Sequence, residues 1–205
     1  MQITVLGATG STGRQVVHQA LCAGHGVTAL VRRPGVLPEH PALRLVVGQL
    51  DQRDVVRSAV RGADAVISAL GNRGNKPATT CTDGIAAALG AMRTEGVRRL
   101  VVVSAHGAAE SRDHSLYCLV LWASVGHKLR DKEAMEALLH AADDVEWTIV
   151  RPPALGSGPR TGTYRTGTDL RMPLTARVSR ADLANFLLHE AASPSWTGCA
   201  VRIAA

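Results

Sequence analysis

One heptapeptide constrains this chain more than any other feature: Gly7-Ala8-Thr9-Gly10-Ser11-Thr12-Gly13. A short apolar run at 2–6 leads into it. Residues 12–23 follow, with Val16, Val17, Ala20 and Leu21 on one helical face. The glycines permit a tight turn and a close backbone approach. The helix that starts there offers unpaired N–H groups and a partial positive charge. The pyrophosphate of a dinucleotide needs this arrangement. The spacing is GxxGxxG, and a glycine pattern alone is weak evidence. The strand before it and the helix after it carry the reading, with Gly7, Thr9, Gly10, Ser11, Thr12 and Gly13 as the phosphate-binding residues.

The remaining pattern agrees with that start. Apolar runs at 27–31, 43–47, 63–69, 99–104 and 147–150 predict strands. Helical spacing predicts helices over 52–61 (with Asp51 as the cap), 79–95 and 126–141. A helix at 180–192 and a strand at 199–203 close the chain. The strands are continuously apolar, as strands buried on both faces are. The expectation is an α/β fold: a Rossmann-type, doubly wound parallel sheet forming a single domain over 1–205. A small C-terminal segment lies on the substrate side. Residues 105–125 and 152–179 are expected as substrate-side loops. In 205 residues, 46% are hydrophobic and 3% aromatic, so the core is built from aliphatic side chains.

Composition excludes several classes. Few aromatics argue against base-stacking nucleic-acid readers. The apolar run 116–125 is about half of the roughly 20 residues a spanning helix needs, and no signal pattern stands at the N-terminus. No membrane, no nucleic acid and a cytoplasmic location are the expectations. The four cysteines are scattered, and the eight histidines form no ligand spacing, so no metal is expected. The net charge of +6 is dispersed. The partner is a small-molecule substrate, and the chain is a monomer or homodimer.

Ends of strands should line the cofactor crevice. Arg32 and Arg33 stand where the ribose-reading residue belongs. With no carboxylate there, two guanidinium groups suit a 2′-phosphate, which points to NADP(H) over NAD. Topology places Gln49 and Leu50 near the adenine. Leu70, Gly71 and Asn72 lie along ribose and nicotinamide, and Ser104 ends the fifth strand. Pro153, Ala154 and Leu155 follow the sixth. His106 reads most simply as an exposed loop histidine, and Tyr117 as part of an apolar wall.

GATGSTG, VRR, LGNRGN, VVVSA, VRPP and Gly162-Thr163-Tyr164 together resemble the atypical short-chain dehydrogenase/reductases with NAD(P)-binding, NmrA-like domains. Within these, the chain looks like the NADPH-dependent flavin reductase/biliverdin IXβ reductase proteins. The resemblance covers residues 1 to about 191. It implies NADPH as cofactor, a pocket open over the nicotinamide, and a catalytic role for Ser104 beside it. The sequence departs from the pattern at two positions: Ala154 stands where the animal proteins have histidine, and Gln49 where an acidic residue is usual. The Tyr-xxx-Lys pair of standard members is absent, since Leu121 follows Tyr117 and Thr168 follows Tyr164 at that offset. Lys132 occupies the usual lysine position, with Lys128 in place of the tyrosine. The expected reaction is hydride transfer to a planar acceptor: a flavin, a quinone or a conjugated or aromatic ketone. Bacterial secondary metabolism is the setting the composition suggests. A non-catalytic NADP(H)-binding sensor and a non-redox isomerase or cyclase are the alternatives.

Overall fold

A computed structural model describes the chain except for Arg73, Asn75, His114 and the side chain of Tyr117. The elements are β1 (Gln2–Leu6), α1 (Ser11–Cys22), β2 (Gly26–Val31), β3 (Leu43–Val47), α2 (Arg53–Val60), β4 (Ala65–Ser68), α3 (Thr80–Glu95) and β5 (Arg99–Val103). They continue with α4 (Leu116–His140), β6 (Glu146–Arg151), β7 (Ala154–Gly156), β8 (Arg165–Gly167), β9 (Arg177–Ser179), α5 (Arg180–Ala192) and β10 (Cys199–Ala204). Eight strands form one sheet in the order β3-β2-β1-β4-β5-β6-β10-β8. Every pairing in it is parallel except β10 with β8. The order reverses between β1 and β4, so the crevice at that switch point is the expected ligand site.

Strand geometry explains the continuous apolar runs. Successive side chains point to opposite faces. In β1, Ile3 and Val5 join the core under α1 and α5, while Leu6 joins the core under α2, α3 and α4. In β5, Val101 and Val103 go to the first core and Leu100 and Val102 to the second. Both faces are covered, so no position in these strands is free to be polar for solvent's sake.

Three expectations need correction. The apolar segment 116–125 is helical, not a loop: α4 starts at Leu116 and runs through a kink at Val125 (φ −136°, ψ 23°). An apolar run with no helical period hides a helix whose first turns are not packed on one side, and Leu116, Leu119 and Val120 are indeed exposed. Segment 152–179 is not wholly irregular. It contributes β8 to the main sheet, and its β7 pairs in parallel with β9. Asp51 does not cap α2; Gln52 occupies that position without a side-chain cap bond.

Candidate active site

The glycine loop is as tight as its sequence implies. Gly7 has φ +75°, and a Cβ there would sit 2.6 Å from the carbonyl oxygen of Ala69. Gly10 donates its N–H to the Gly7 carbonyl at 2.9 Å and stands as the N-cap of α1 with no side-chain cap. A Cβ on Gly13 would lie 2.2 Å from the Gly7 oxygen, so any side chain there forces the turn open. The first turn of α1 carries no acidic residue. Its N–H groups and helix dipole are therefore available to an anion. These features fit a dinucleotide's pyrophosphate.

A cavity of about 1190 Å³ opens beside this loop at the C-terminal ends of β1 to β4. Of the residues the sequence named, it brings Gly7, Thr9, Gly10, Arg32, Gln49, Leu50, Leu70, Gly71 and Asn72 to one wall. Sequence reasoning missed Arg53, Asp54, Thr80 and Asp83, which come from the starts of α2 and α3. A signal for them existed, because helix N-termini in this topology face the same crevice. Ser11, Thr12, Gly13, Arg33, Ser104, Pro153, Ala154 and Leu155 are not part of this wall. Arg73 and Asn75 of LGNRGN lie outside the described residues. A smaller cavity of about 210 Å³, lined by Gln2, Thr4, Thr28 and Arg44, opens at the other end of the strands, away from the glycine loop.

Lysine 132 fastens the floor. Its Nζ donates to the carbonyl oxygens of Leu70 (3.0 Å) and Val103 (2.5 Å), tying the end of β4 to the end of β5. The preceding residue, Asp131, accepts from the backbone N–H of Cys81 (2.9 Å) and Thr82 (3.0 Å) at the start of α3. Burial works to raise the Asp131 pKa, but these bonds hold its carboxyl below the ordinary value.

One turn further along α4, Glu136 organises the end of β5. Ser104 is 4% exposed. Its hydroxyl donates to the Glu136 carboxylate in a short contact, and its N–H donates to Val150 at 2.7 Å. The buried Arg151 donates from Nε to Glu136 at 3.1 Å and again from Nη2. It also grips Glu110 with two bonds of 2.8 Å. Burial opposes the Arg151 charge, but the two carboxylates more than offset it and hold the guanidinium above its ordinary pKa. The serine proton is therefore committed to Glu136.

His106 is buried at 2% exposure, against the expectation of an exposed loop residue. Its backbone N–H donates to the Pro152 carbonyl oxygen at 2.9 Å, which draws it beneath the end of β6. Burial, with Arg202 and Arg151 adding to it, pushes the imidazole pKa down to about 4. Tyr164 is engaged as well. Its hydroxyl donates to Asn185 at 3.1 Å and its ring packs edge-on to Phe186. The Tyr117 side chain lies outside the described residues.

Comparison with known proteins agrees with the fold. A Streptomyces 3-diazoavenalumate denitrifying reductase is 33% identical over 192 residues, 84% of this chain and 62% of that protein. A solved structure from Burkholderia pseudomallei is 27% identical and superposes over all of both chains with a TM-score of 0.82. A Veillonella parvula short-chain dehydrogenase/reductase, crystallised with NADP, shares the fold at 17% identity and a TM-score of 0.84, covering 98% of this chain and 93% of that one. No described helix is long and apolar enough to cross a membrane. The model of the NAD(P)H-binding family matches residues 7–194, and this Rossmann-fold chain belongs to that family.

Proposed function

We propose that the protein is an NADPH-dependent reductase that passes hydride to a planar acceptor such as a flavin, a quinone or a conjugated or aromatic ketone. The observation that carries this reading is the shared wall: Gly7, Thr9 and Gly10, at the uncapped start of α1, line one cavity with Arg32. The nicotinamide would supply the hydride; the protein binds, orients and excludes water. The backbone N–H groups of Ser11, Thr12 and Gly13 would meet the pyrophosphate. Arg32 would meet the 2′-phosphate. Gln49 and Leu50 would border the adenine, and Leu70, Gly71 and Asn72 the ribose and nicotinamide. Lys132 keeps the two strand ends under the ring in register through its carbonyl bonds.

Among the described residues, proton supply favours an acceptor that needs no fixed acid. The Ser104 proton is held by Glu136, the Tyr164 hydroxyl by Asn185, and the buried imidazole of His106 is neutral at pH 7. A flavin, a quinone or a conjugated acceptor takes its proton from solvent and needs no fixed acid. Ser104 then acts by positioning rather than by donating a proton. The Streptomyces relative is named a 3-diazoavenalumate denitrifying reductase, which supports the reductase reading. A cytoplasmic monomer or homodimer fits the same reading.

A second reading, a nucleotide-binding regulator without turnover, draws on the exposed Leu116, Leu119 and Val120 at the start of α4. Anaerobic oxidation of NADPH with FMN, followed by nicotinamide absorbance with NADH as the paired control, separates the two. Turnover with NADPH and little with NADH is expected of the reductase. Tight NADPH binding without turnover on flavin, quinone or conjugated ketone would favour the regulator.

A further inference from the structure

Taking the cofactor reading as given, a doubly charged 2′-phosphate suits two guanidinium groups, and the obvious partner of Arg32 does not line the cavity. Arg32 and Arg33 follow the end of β2 as neighbours in a bend. Arg32 lines the cavity; Arg33 is not part of its wall.

Another arginine lines the same cavity from a different element. The Gly48 N–H donates to Val31 at 2.9 Å, so the end of β3 lies directly beside the end of β2. The start of α2 sits on Gly48. A Cβ there would meet Val55 Cγ1 at 2.5 Å and Gln52 Oε1 at 2.7 Å. Arg53 is the first residue of α2, and it lines the cavity. No carboxylate lies within 4.0 Å of Arg32, Arg33 or Arg53 among the described residues, whereas Arg57, one turn later, is held by Glu95 at 2.5 Å. Asp51 and Asp54 share the wall, so the corner is not a general anion well. It favours an anion that meets both guanidinium forks directly. At the position where an acidic residue would compete for them, Gln49 gives its N–H to the Gln52 side chain at 2.8 Å.

We infer that Arg53, and not Arg33, is the partner of Arg32 in holding the 2′-phosphate, and that it is a residue setting the preference for NADP over NAD. All three arginines are exposed, so alanine at each leaves the core untouched.

Calorimetric titration of the full chain with adenosine 2′,5′-bisphosphate and with 5′-AMP isolates this contact from any turnover. Wild type should bind the bisphosphate more tightly. A charge-assisted pair corresponds to a loss of about 10-fold or more. Arg32→Ala and Arg53→Ala should each weaken the bisphosphate by that amount. Arg33→Ala should change it by less than about 2-fold, and 5′-AMP should be insensitive to all three. Arg53→Lys should recover part of the loss, because the charge remains and the fork does not. A large loss in Arg33→Ala with none in Arg53→Ala would overturn the inference and leave the cofactor reading standing. Wild type binding both nucleotides equally would overturn the NADP preference itself. Failure to bind NADPH, NADH and both probes would overturn the cofactor site.

Discussion

At the β1 end of the crevice, three glycines and a bare helix start shape the site out of backbone. At the β5–β6 end, Glu136 and Arg151 form a buried charge pair that Ser104 joins and the exposed Glu110 flanks. The first region is local: Gly7 to Gly13 spans one turn, and its contacts are with itself and the adjoining end of β4. The second joins residues 15 to 41 positions apart along the chain. The difference teaches where each kind of site fails. A backbone site breaks when atoms are added, because no space exists for them. A charge network breaks when atoms are removed, because the remaining charge is left buried.

The largest effect is expected at the charge network. Glu136→Ala leaves Arg151 buried with only the exposed Glu110, and should cost about 3–5 kcal/mol of stability in urea denaturation. Replacing Glu136 and Arg151 together by leucine and methionine should recover most of it. A single-variant loss below about 1 kcal/mol would remove the contrast between the two ends.

Gly13→Ala tests the other end. Its Cβ meets backbone 2.2 Å away, and backbone cannot step aside as a flexible side chain can. A displaced loop should weaken NADPH binding by about 100-fold, while stability falls by only about 2 kcal/mol. Fluorescence titration and thermal melting give the two numbers. A stability loss of that size with NADPH binding unchanged would mean the glycine serves folding rather than the ligand.

His106 gives a pH signature to the β5–β6 end. Its folded pKa, about 4, lies below the ordinary 6.5, so the native state binds fewer protons than the unfolded state in that window. Its contribution to stability is therefore present above pH 6.5 and is lost as pH falls through 4. The loss is at most about 3 kcal/mol. In His106→Gln the decline in urea midpoint between these pH values should be shallower than in wild type.

The smallest effect sharpens the meaning of a glycine. Gly24 also has a positive φ, +77°, but a Cβ there meets nothing within 4 Å. Gly24→Ala should cost about 1 kcal/mol by backbone strain alone and leave NADPH binding unchanged.

The two ends also differ in how far they could be read in advance. The glycine loop, the first strands and the arginine after β2 follow from short-range pattern; the parallel sheet is present, and Gly7, Gly10 and Arg32 line the cavity. Local pattern says nothing about which side chains meet across the sheet. Nothing around Glu136 or Arg151 in sequence announces their pairing, and Ser104 looks like a crevice serine until its proton is traced to Glu136. His106 misleads in the same way, because the turn after β5 folds under β6 rather than out to solvent. Arg53 was hidden by convention: attention falls on the end of β2, whereas the start of α2 faces the same corner.

A crystal structure with NADP⁺ bound tests the central claim most directly. The account predicts the pyrophosphate on the N–H groups of Ser11 to Gly13, the 2′-phosphate at Arg32, and the nicotinamide beyond Leu70 toward the β5 end. Nucleotide bound away from the glycine loop, or turned so that the nicotinamide lies against Arg32, would contradict it.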